Sequence, residues 1–157
     1  SALASLTNLT WLHLGFNRIN GISPLTALTS LTWLSVSGNQ ISDISPLASL
    51  TSLTWLSVSG GNQVNDISPL ATLTSLTELH LDGNQISDIS PLTSLTNLAN
   101  LDLNNSQIND ISPLVENNGL GEGDEVWLEG NNLDLWGGSE DQENIRQLQE
   151  RGMVVHY

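Results

Sequence analysis

The stretch LTSLTWLSVSGNQISDISPLAS, residues 28–49, decides the fold because it recurs along the chain with few changes. The pattern restarts at the leucine of each LT(S/N)L motif, and five consecutive units span residues 6–27, 28–49, 50–72, 73–94 and 95–116. Four units have 22 residues and the third has 23, and all five prolines of the chain fall at one position of the unit. A fixed period of this length predicts a solenoid, in which each unit packs on its neighbours.

Columns of identical apolar residues predict one continuous core. Three leucine positions recur in all five units, and in the second unit they are Leu28, Leu31 and Leu34. Equivalent leucines form a continuous core only when the units stack in register. In the segment TWLSVSG, apolar and polar residues alternate, which is typical of a short strand with one buried face. Stacked strands of this kind form a parallel sheet with a spacing of about 4.8 Å.

The Ser-Pro-Leu segment of each unit predicts a helical or 3₁₀ turn on the convex side of the solenoid. Serine is a good N-cap and proline a good first helical residue. The extra residue of the third unit, at Gly60–Gly61, predicts a local bulge.

An asparagine column follows the predicted strands. Its members are Asn17, Asn39, Asn62, Asn84 and, beyond the last unit, Asn131. The chain turns inward at this position, and a buried carboxamide there bonds the backbone of its own turn and of the next unit. We therefore interpret the column as a structural ladder. Ser106 replaces the asparagine in the fifth unit, and a hydroxyl has fewer bonding groups, which predicts a weaker turn.

The two ends of the chain differ. The first three residues align with the end of a unit, so the N-terminal end has no cap, and we expect either that residues upstream of Ser1 were removed or that this end contacts another chain. Residues 117–157 predict a C-terminal cap. Its elements are a sixth strand at Val126–Leu128, a helix that starts at Ser139 with a capping box to Gln142, and a final extended piece at Met153–Tyr157.

Charge excludes several classes of function. The chain has 17 carboxylates against three arginines and no lysine, for a net charge of -14. Such a surface repels nucleic acids and anionic membranes, keeps the protein soluble and attracts a basic partner. No apolar stretch approaches the roughly 20 residues that span a bilayer. There is no cysteine, and the acidic run from Glu122 to Glu129 lacks the spacing of a calcium loop, so we expect neither a metal nor a cofactor.

The outward strand positions carry the candidate site. The first outward row reads Trp11, Trp33, Trp55, Glu78, Asn100 and Glu125. Three tryptophans on adjacent strands form an aromatic stripe. Exposed indoles favour a role as anchors for a partner. The alternative is that the rings shield one another and merely reflect duplication of the repeat.

The second outward row reads His13, Ser35, Ser57, His80, Asp102 and Trp127. It places Ser57, His80 and Asp102 side by side, in the order of a hydrolytic triad. A strand face offers neither a pocket nor an oxyanion hole, which disfavours catalysis. We favour a polar patch of Glu78, His80, Asp82 and Asp102 that binds a basic side chain of a partner or responds to mildly acid pH. The threonine columns form a regular hydroxyl array, which leaves open a glycan or an ice lattice as the ligand.

The pattern L-x-x-L-x-x-L-x-L-x-x-N-x-I-x-D-I-x-P-L resembles the internalin-type leucine-rich repeats of bacterial surface proteins over about residues 1–116. The tail, with GLGEGDEVWLEGNNLDL and LQERGMVVHY, resembles the C-terminal end of bacterial members of this class. The resemblance implies one α/β domain over residues 1–157. Its fold would be a right-handed leucine-rich-repeat solenoid with a parallel concave sheet, helical or 3₁₀ turns on the convex side and a C-terminal helical cap.

The resemblance also implies that the concave sheet binds a protein and that the protein is secreted or lies on a bacterial cell surface, although a cytoplasmic location stays open. We therefore predict a non-enzymatic module that recognises a protein or peptide. The alternatives are a spacer module of a larger surface protein and, more remotely, the hydrolase or the glycan- or ice-binding protein considered above. We predict no nucleic-acid partner and no membrane insertion, whereas self-association through the N-terminal end is a further expectation.

Overall fold

Seven short strands stack in chain order into one parallel sheet in the computed structural model, which describes residues 2–157. The strands are β1 Trp11–His13, β2 Trp33–Ser35, β3 Trp55–Ser57, β4 Glu78–His80, β5 Asn100–Asp102, β6 Glu125–Trp127 and β7 Val154–His156. Equivalent residues of successive repeats lie opposite one another, so that Leu34 pairs with Leu56 and Leu56 with Leu79. This register confirms the predicted α/β solenoid. Strand β6 begins one residue earlier than the sequence suggested.

Short helices return the chain along the other side of each repeat. Five are 3₁₀ helices, at Ala2–Ser5, Ser23–Ala27, Ser45–Ser49, Ser68–Thr72 and Ser90–Ser94, and the equivalent turn of the fifth repeat is the α-helix α1, Ser112–Glu116. The serine hydroxyl expected at the N-cap does not cap these turns. Serine is already the first helical residue, and in the second to fifth repeats its amide donates to the aspartate two residues upstream, as Ser45 does to Asp43 Oδ1 at 2.8 Å. This bond lowers the pKa of the aspartate.

The core is almost wholly aliphatic and is built from the repeated columns. Leu34, Leu56 and Leu79 have no exposed surface, and the same holds for most leucines of the second to fourth repeats. Burial of one such side chain contributes about 1.5–3 kcal/mol to stability. In the first repeat Leu9 and Leu12 are only partly buried, because the described chain has no repeat packed on that side.

The asparagine column lies inside the turns and joins neighbouring repeats. The Asn84 carboxamide donates to the carbonyls of Leu81 and Val58 and accepts from the Val64 amide, which belongs to the preceding repeat. Asn39, Asn62 and Asn131 bond in the same way. The second partner is therefore the preceding repeat, and the expectation that it is the next one is wrong. Asn17, in the first repeat, is exposed and bonds only carbonyls of its own turn.

Ser106 interrupts this column. Its hydroxyl is buried and has no hydrogen-bond partner among residues 2–157. Its side chain is too short to reach the Ile86 amide, whose equivalents in neighbouring repeats bond an asparagine. The fifth turn therefore lacks a link that its neighbours possess.

The extra residue of the third repeat is absorbed in the turn. Gly60 and Gly61 both take positive φ, 55° and 91°, which L side chains rarely adopt. Asn62 still accepts from the Ile41 amide at 2.9 Å and donates to the Val58 carbonyl at 3.0 Å. The insertion therefore lengthens the turn without shifting the register of the repeats.

Helix α2, Glu140–Glu150, closes the C-terminal end of the solenoid. The Ser139 hydroxyl accepts from the Gln142 amide at 3.2 Å, while the Gln142 side chain accepts from the Gly138 amide at 3.0 Å. The buried face of the helix includes Ile145 and Leu148. No helix within residues 2–157 has both the length and the hydropathy needed to cross a bilayer.

Candidate functional site

The parallel register arranges the outward side chains of the concave face in three rows. The first row contains Trp11, Trp33, Trp55, Glu78, Asn100, Glu125 and Val154. The second contains His13, Ser35, Ser57, His80, Asp102, Trp127 and His156. The third follows the strands and contains Ser37, Ser59, Asp82, Asn104 and Glu129. Four of the five tryptophans and all three histidines therefore lie on this face.

Trp11, Trp33 and Trp55 stack on one another and form what we term the tryptophan ladder. The ring centroids of Trp33 and Trp55 are 4.2 Å apart at an interplanar angle of 7°, and those of Trp11 and Trp33 are 4.6 Å apart at 15°. The faces of the rings are thus largely used within the ladder, and their edges point to solvent. Trp11 is 56% exposed, whereas Trp33 and Trp55 are half-buried. The rings shield one another and still present an apolar rim.

The ladder borders a histidine–glutamate pair on β4. The His80 imidazole lies tilted against Trp55 with centroids 5.3 Å apart, and its Nε2 is 2.8 Å from Glu78 Oε1. Partial burial raises the pKa of Glu78, but hydrogen bonds from His80 and Trp55 outweigh it, and the pKa lies below its usual value. The Glu78 carboxylate is consequently held in place and ionised at neutral pH.

The register brings Ser57, His80 and Asp102 side by side, but each side chain forms its hydrogen bonds with other residues. The buried Ser57 hydroxyl bonds the hydroxyls of Ser37 and Ser59. The imidazole of His80 bonds Glu78, and Asp102 accepts from the Asn104 amide. These three residues do not form the proton relay of a hydrolytic triad in this arrangement.

Five carboxylates occupy the middle of the concave face. We term this set the acidic trough, and its members are Glu78, Asp82, Asp102, Glu125 and Glu129. Burial raises the pKa of Asp102, and repulsion from Asp82 and Glu129 adds to this effect, although the Asn104 amide and His80 oppose it. The pKa of Asp102 therefore lies above its usual value, because the Asn104 amide and His80 do not offset burial and the neighbouring carboxylates.

The arginines do not neutralise the trough. Arg146, on α2, pairs with Glu143 and Glu150 of the same helix. Arg151, at the end of that helix, donates to the Asn117 carbonyl. Arg18 lies in the exposed turn after β1. The chain has no other arginine and no lysine, so histidines are the only titratable cations on the concave strands.

A second aromatic cluster lies at the other side of the trough. The rings of Trp127 and His156 stack with centroids 5.0 Å apart at 6°, and His156 Nε2 is 3.4 Å from Glu125 Oε2. Sequence reasoning placed Trp127 in the second row but did not predict that His156 joins it. The available signal was the pair of β-branched residues Val154 and Val155, which favours a strand in which Val154 and His156 share one face.

One of the two threonine columns is used by the fold itself. The hydroxyls of Thr32, Thr54 and Thr77 each donate to the threonine carbonyl of the preceding repeat at 3.1 Å. These donors link repeats together and are not free to bind a glycan or an ice lattice.

The solenoid and its repeat pattern define a leucine-rich-repeat protein. The family model described as Leucine Rich repeats (2 copies) matches residues 7–49, 29–72, 51–94 and 74–116, and the chain belongs to this family. The fold is typical of protein-interaction modules. The chain has no match among curated protein sequences.

Solved structures refine the class to the bacterial internalin type. An internalin of Listeria monocytogenes is 40% identical, covers 98% of this chain and has a TM-score of 0.86. Internalin C2 of the same species is 44% identical, covers 85% and has a TM-score of 0.73. A leucine-rich-repeat protein of Leptospira interrogans, 24% identical over 99% with a TM-score of 0.84, shares the fold. This chain spans 44%, 55% and 38% of those three chains, respectively.

Proposed function

We propose that this domain is a non-enzymatic recognition module that binds a protein or peptide on its concave face. The observation that carries the proposal is the concentration of partly exposed indoles and unneutralised carboxylates on one sheet face. Exposed aromatic groups are costly in water and are enriched at the centres of protein interfaces. The family relation supports the same role.

The tryptophan ladder supplies apolar anchoring. Its three rings are held by mutual stacking, so a partner does not have to order them. Immobilising a side chain on binding costs about 0.5–1.5 kcal/mol, and a pre-ordered anchor avoids much of that cost. The rim of Trp11, Trp33 and Trp55 is therefore a suitable hot spot.

Glu78, His80, Asp82 and Asp102 supply polar selectivity beside the ladder. Their carboxylates lack arginine or lysine partners in the described chain, which favours a partner that carries basic side chains. Acidic partners and nucleic acids are repelled by the same charges. The resemblance to bacterial surface proteins supports a secreted or cell-surface location, with the cytoplasm as the alternative.

The main alternative is a spacer module whose tryptophans serve only the fold. Hydrolysis by Ser57, His80 and Asp102 is less well supported, because their hydrogen bonds do not link them. Binding of a glycan or an ice lattice is less well supported, because one of the two threonine columns already bonds the backbone.

The test compares capture of partners by three immobilised proteins: wild type, Trp33→Ala with Trp55→Ala, and Trp136→Ala. Trp136 is 84% exposed on the loop before α2, so its removal deletes an indole away from the sheet. We expect a partner that the wild type and Trp136→Ala retain and that the double variant loses. Urea unfolding verifies that all three proteins are folded.

Equal capture by all three proteins, or no specific capture, would support the spacer alternative. Leu6 and Phe16 are exposed at the N-terminal end. If the chain self-associates there, the immobilised domain would capture further copies of the same chain. Light scattering over a range of concentrations separates this case from binding of another protein.

A further inference from the structure

We propose that the partner is a polypeptide segment that carries a cationic side chain between two apolar side chains. The cationic side chain binds in the acidic trough, and the two apolar side chains pack on the aromatic clusters at either side of it. This inference rests on the proposed function and specifies the chemistry of the ligand. It adds to the predicted site a second anchoring position at Trp127 and His156.

The two clusters have the same composition. One combines Trp55 with His80 and Glu78, and the other combines Trp127 with His156 and Glu125. In each, an imidazole packs against an indole and points its Nε2 at a glutamate. The tryptophans lie three strands apart, as do the histidines, which corresponds to about 14 Å. The concave face therefore has two similar anchoring positions rather than one aromatic stripe.

The region between the clusters differs from both. Glu78 and Glu125, in the first row, have histidine partners, whereas Asp102, on the strand between them, and Asp82 and Glu129, in the third row, have none. Repulsion from Asp82 and Glu129 already helps to raise the pKa of Asp102. A guanidinium or ammonium group placed here would relieve this repulsion, and the planar guanidinium would bond two carboxylate oxygens at once.

The outer positions favour apolar side chains. The rim of the tryptophan ladder lies on one side, and Trp127 with Val154, which is 44% exposed, lies on the other. Two anchors about 14 Å apart match residues separated by about nine positions in an α-helix or by about four in an extended chain. The ligand therefore has an apolar–cationic–apolar order with one of these two spacings.

A selection from a library of random 12-residue peptides on the wild-type domain tests this order without assuming a partner. We expect enriched peptides to carry arginine or lysine between two apolar residues. Their binding is then measured on Asp82→Asn with Asp102→Asn, which keeps side-chain shape and an acceptor for the Asn104 amide. The expected loss is about tenfold or more, as for a charge pair at an interface.

The matched control is Asp66→Asn with Asp88→Asn. It also removes two carboxylates, but on the turns that precede the convex helices, and each asparagine retains an acceptor for the serine amide. Peptide binding should stay within about twofold of the wild type in this variant, since a screened long-range effect of net charge is small. Trp127→Ala should weaken binding as strongly as Trp55→Ala.

The remaining outcomes overturn the inference in distinguishable ways. Peptides that need Trp33 and Trp55 but are indifferent to Trp127, or that contain no cation, would leave the proposed function intact and remove this refinement. Equal loss of binding in the concave and convex aspartate variants would show that the weaker binding arises from the change in net charge alone. Peptides whose binding is unchanged in every variant of the concave face would overturn the proposed function as well.

Discussion

The asparagine column and the tryptophan ladder are both runs of one residue type at one repeat position, yet they do opposite things. The carboxamides of Asn39, Asn62 and Asn84 are buried, and their hydrogen bonds go to the backbone of their own and the preceding repeat. The indoles of Trp33 and Trp55 stack on neighbouring rings, Trp55 also bonds Glu78, and both side chains stay partly exposed. Repetition alone thus does not distinguish structure from function. What distinguishes them is whether the fold itself satisfies the groups that are repeated.

The largest effect should follow from breaking the asparagine column. Asn84→Ala leaves the Val64 amide and the Leu81 carbonyl without this partner inside the protein. Each unsatisfied buried group costs about 1–3 kcal/mol, so we expect a loss of about 3 kcal/mol in the free energy of unfolding, measured with urea. Gln85→Ala, at the exposed neighbour, should be nearly neutral. A loss for Asn84→Ala as small as that of the control would contradict the ladder.

Removal of the central indole should lower the free energy of unfolding less than Asn84→Ala does, but it should weaken partner binding more. Trp33→Ala deletes both stacking contacts of the ladder, each of which contributes about 0.5–1.5 kcal/mol, so we expect a loss of about 2 kcal/mol. Circular dichroism should show the loss of the exciton signal of the stacked indoles. Trp136→Ala should leave that signal intact, and an unchanged signal in Trp33→Ala would mean that the indoles are not stacked in solution.

Repair of the interrupted asparagine column should produce a smaller gain. Ser106→Asn supplies a carboxamide where the hydroxyl has no partner, and its oxygen can accept from the Ile86 amide. One buried hydrogen bond contributes about 1 kcal/mol, and we expect a gain of that size in the urea unfolding free energy. Destabilisation instead would show that the fifth turn, where Asn105 holds a positive φ of 52°, has no room for the longer side chain.

The smallest effects should come from two aspartates and should have opposite signs. The pKa of Asp88 is lowered by the Ser90 amide, so its ionised form stabilises the fold above the unfolded pKa, and this contribution is lost as pH falls through the folded value. The pKa of Asp102 is raised by burial, so its ionised form opposes folding at neutral pH. At pH 7, Asp102→Asn should therefore stabilise slightly and Asp88→Asn destabilise slightly.

Urea unfolding at pH 7 and at pH 4 checks both signs. The gain in Asp102→Asn should shrink at the lower pH, because the folded wild type takes up a proton at Asp102 before the unfolded chain does. A gain that grows on acidification, or a stabilising Asp88→Asn, would contradict the assignment of these environments.

The fold was predictable because each level of the repeat points to the same arrangement. The leucine columns define the core, the alternation in TWLSVSG defines the strands, and Asn84 and its equivalents define the inward turn. The capping aspartates were missed, because Ser45 looks like an N-cap until the backbone shows it to be the first helical residue. Strand β7 was predicted only as an extended piece, since a single strand at the end of a chain has no period to reveal its register.

The sequence by itself determined which side chains share a face, because alternation and a constant period assign inward and outward positions without coordinates. Only the tertiary structure decided how those side chains interact. In the folded chain, Trp11, Trp33 and Trp55 stack as a ladder. His80 bonds Glu78 rather than Ser57, and His156 packs against Trp127. The physical reason is that periodicity specifies positions along the solenoid, whereas ring orientation and hydrogen-bond partners depend on distances of a few ångströms between neighbouring strands.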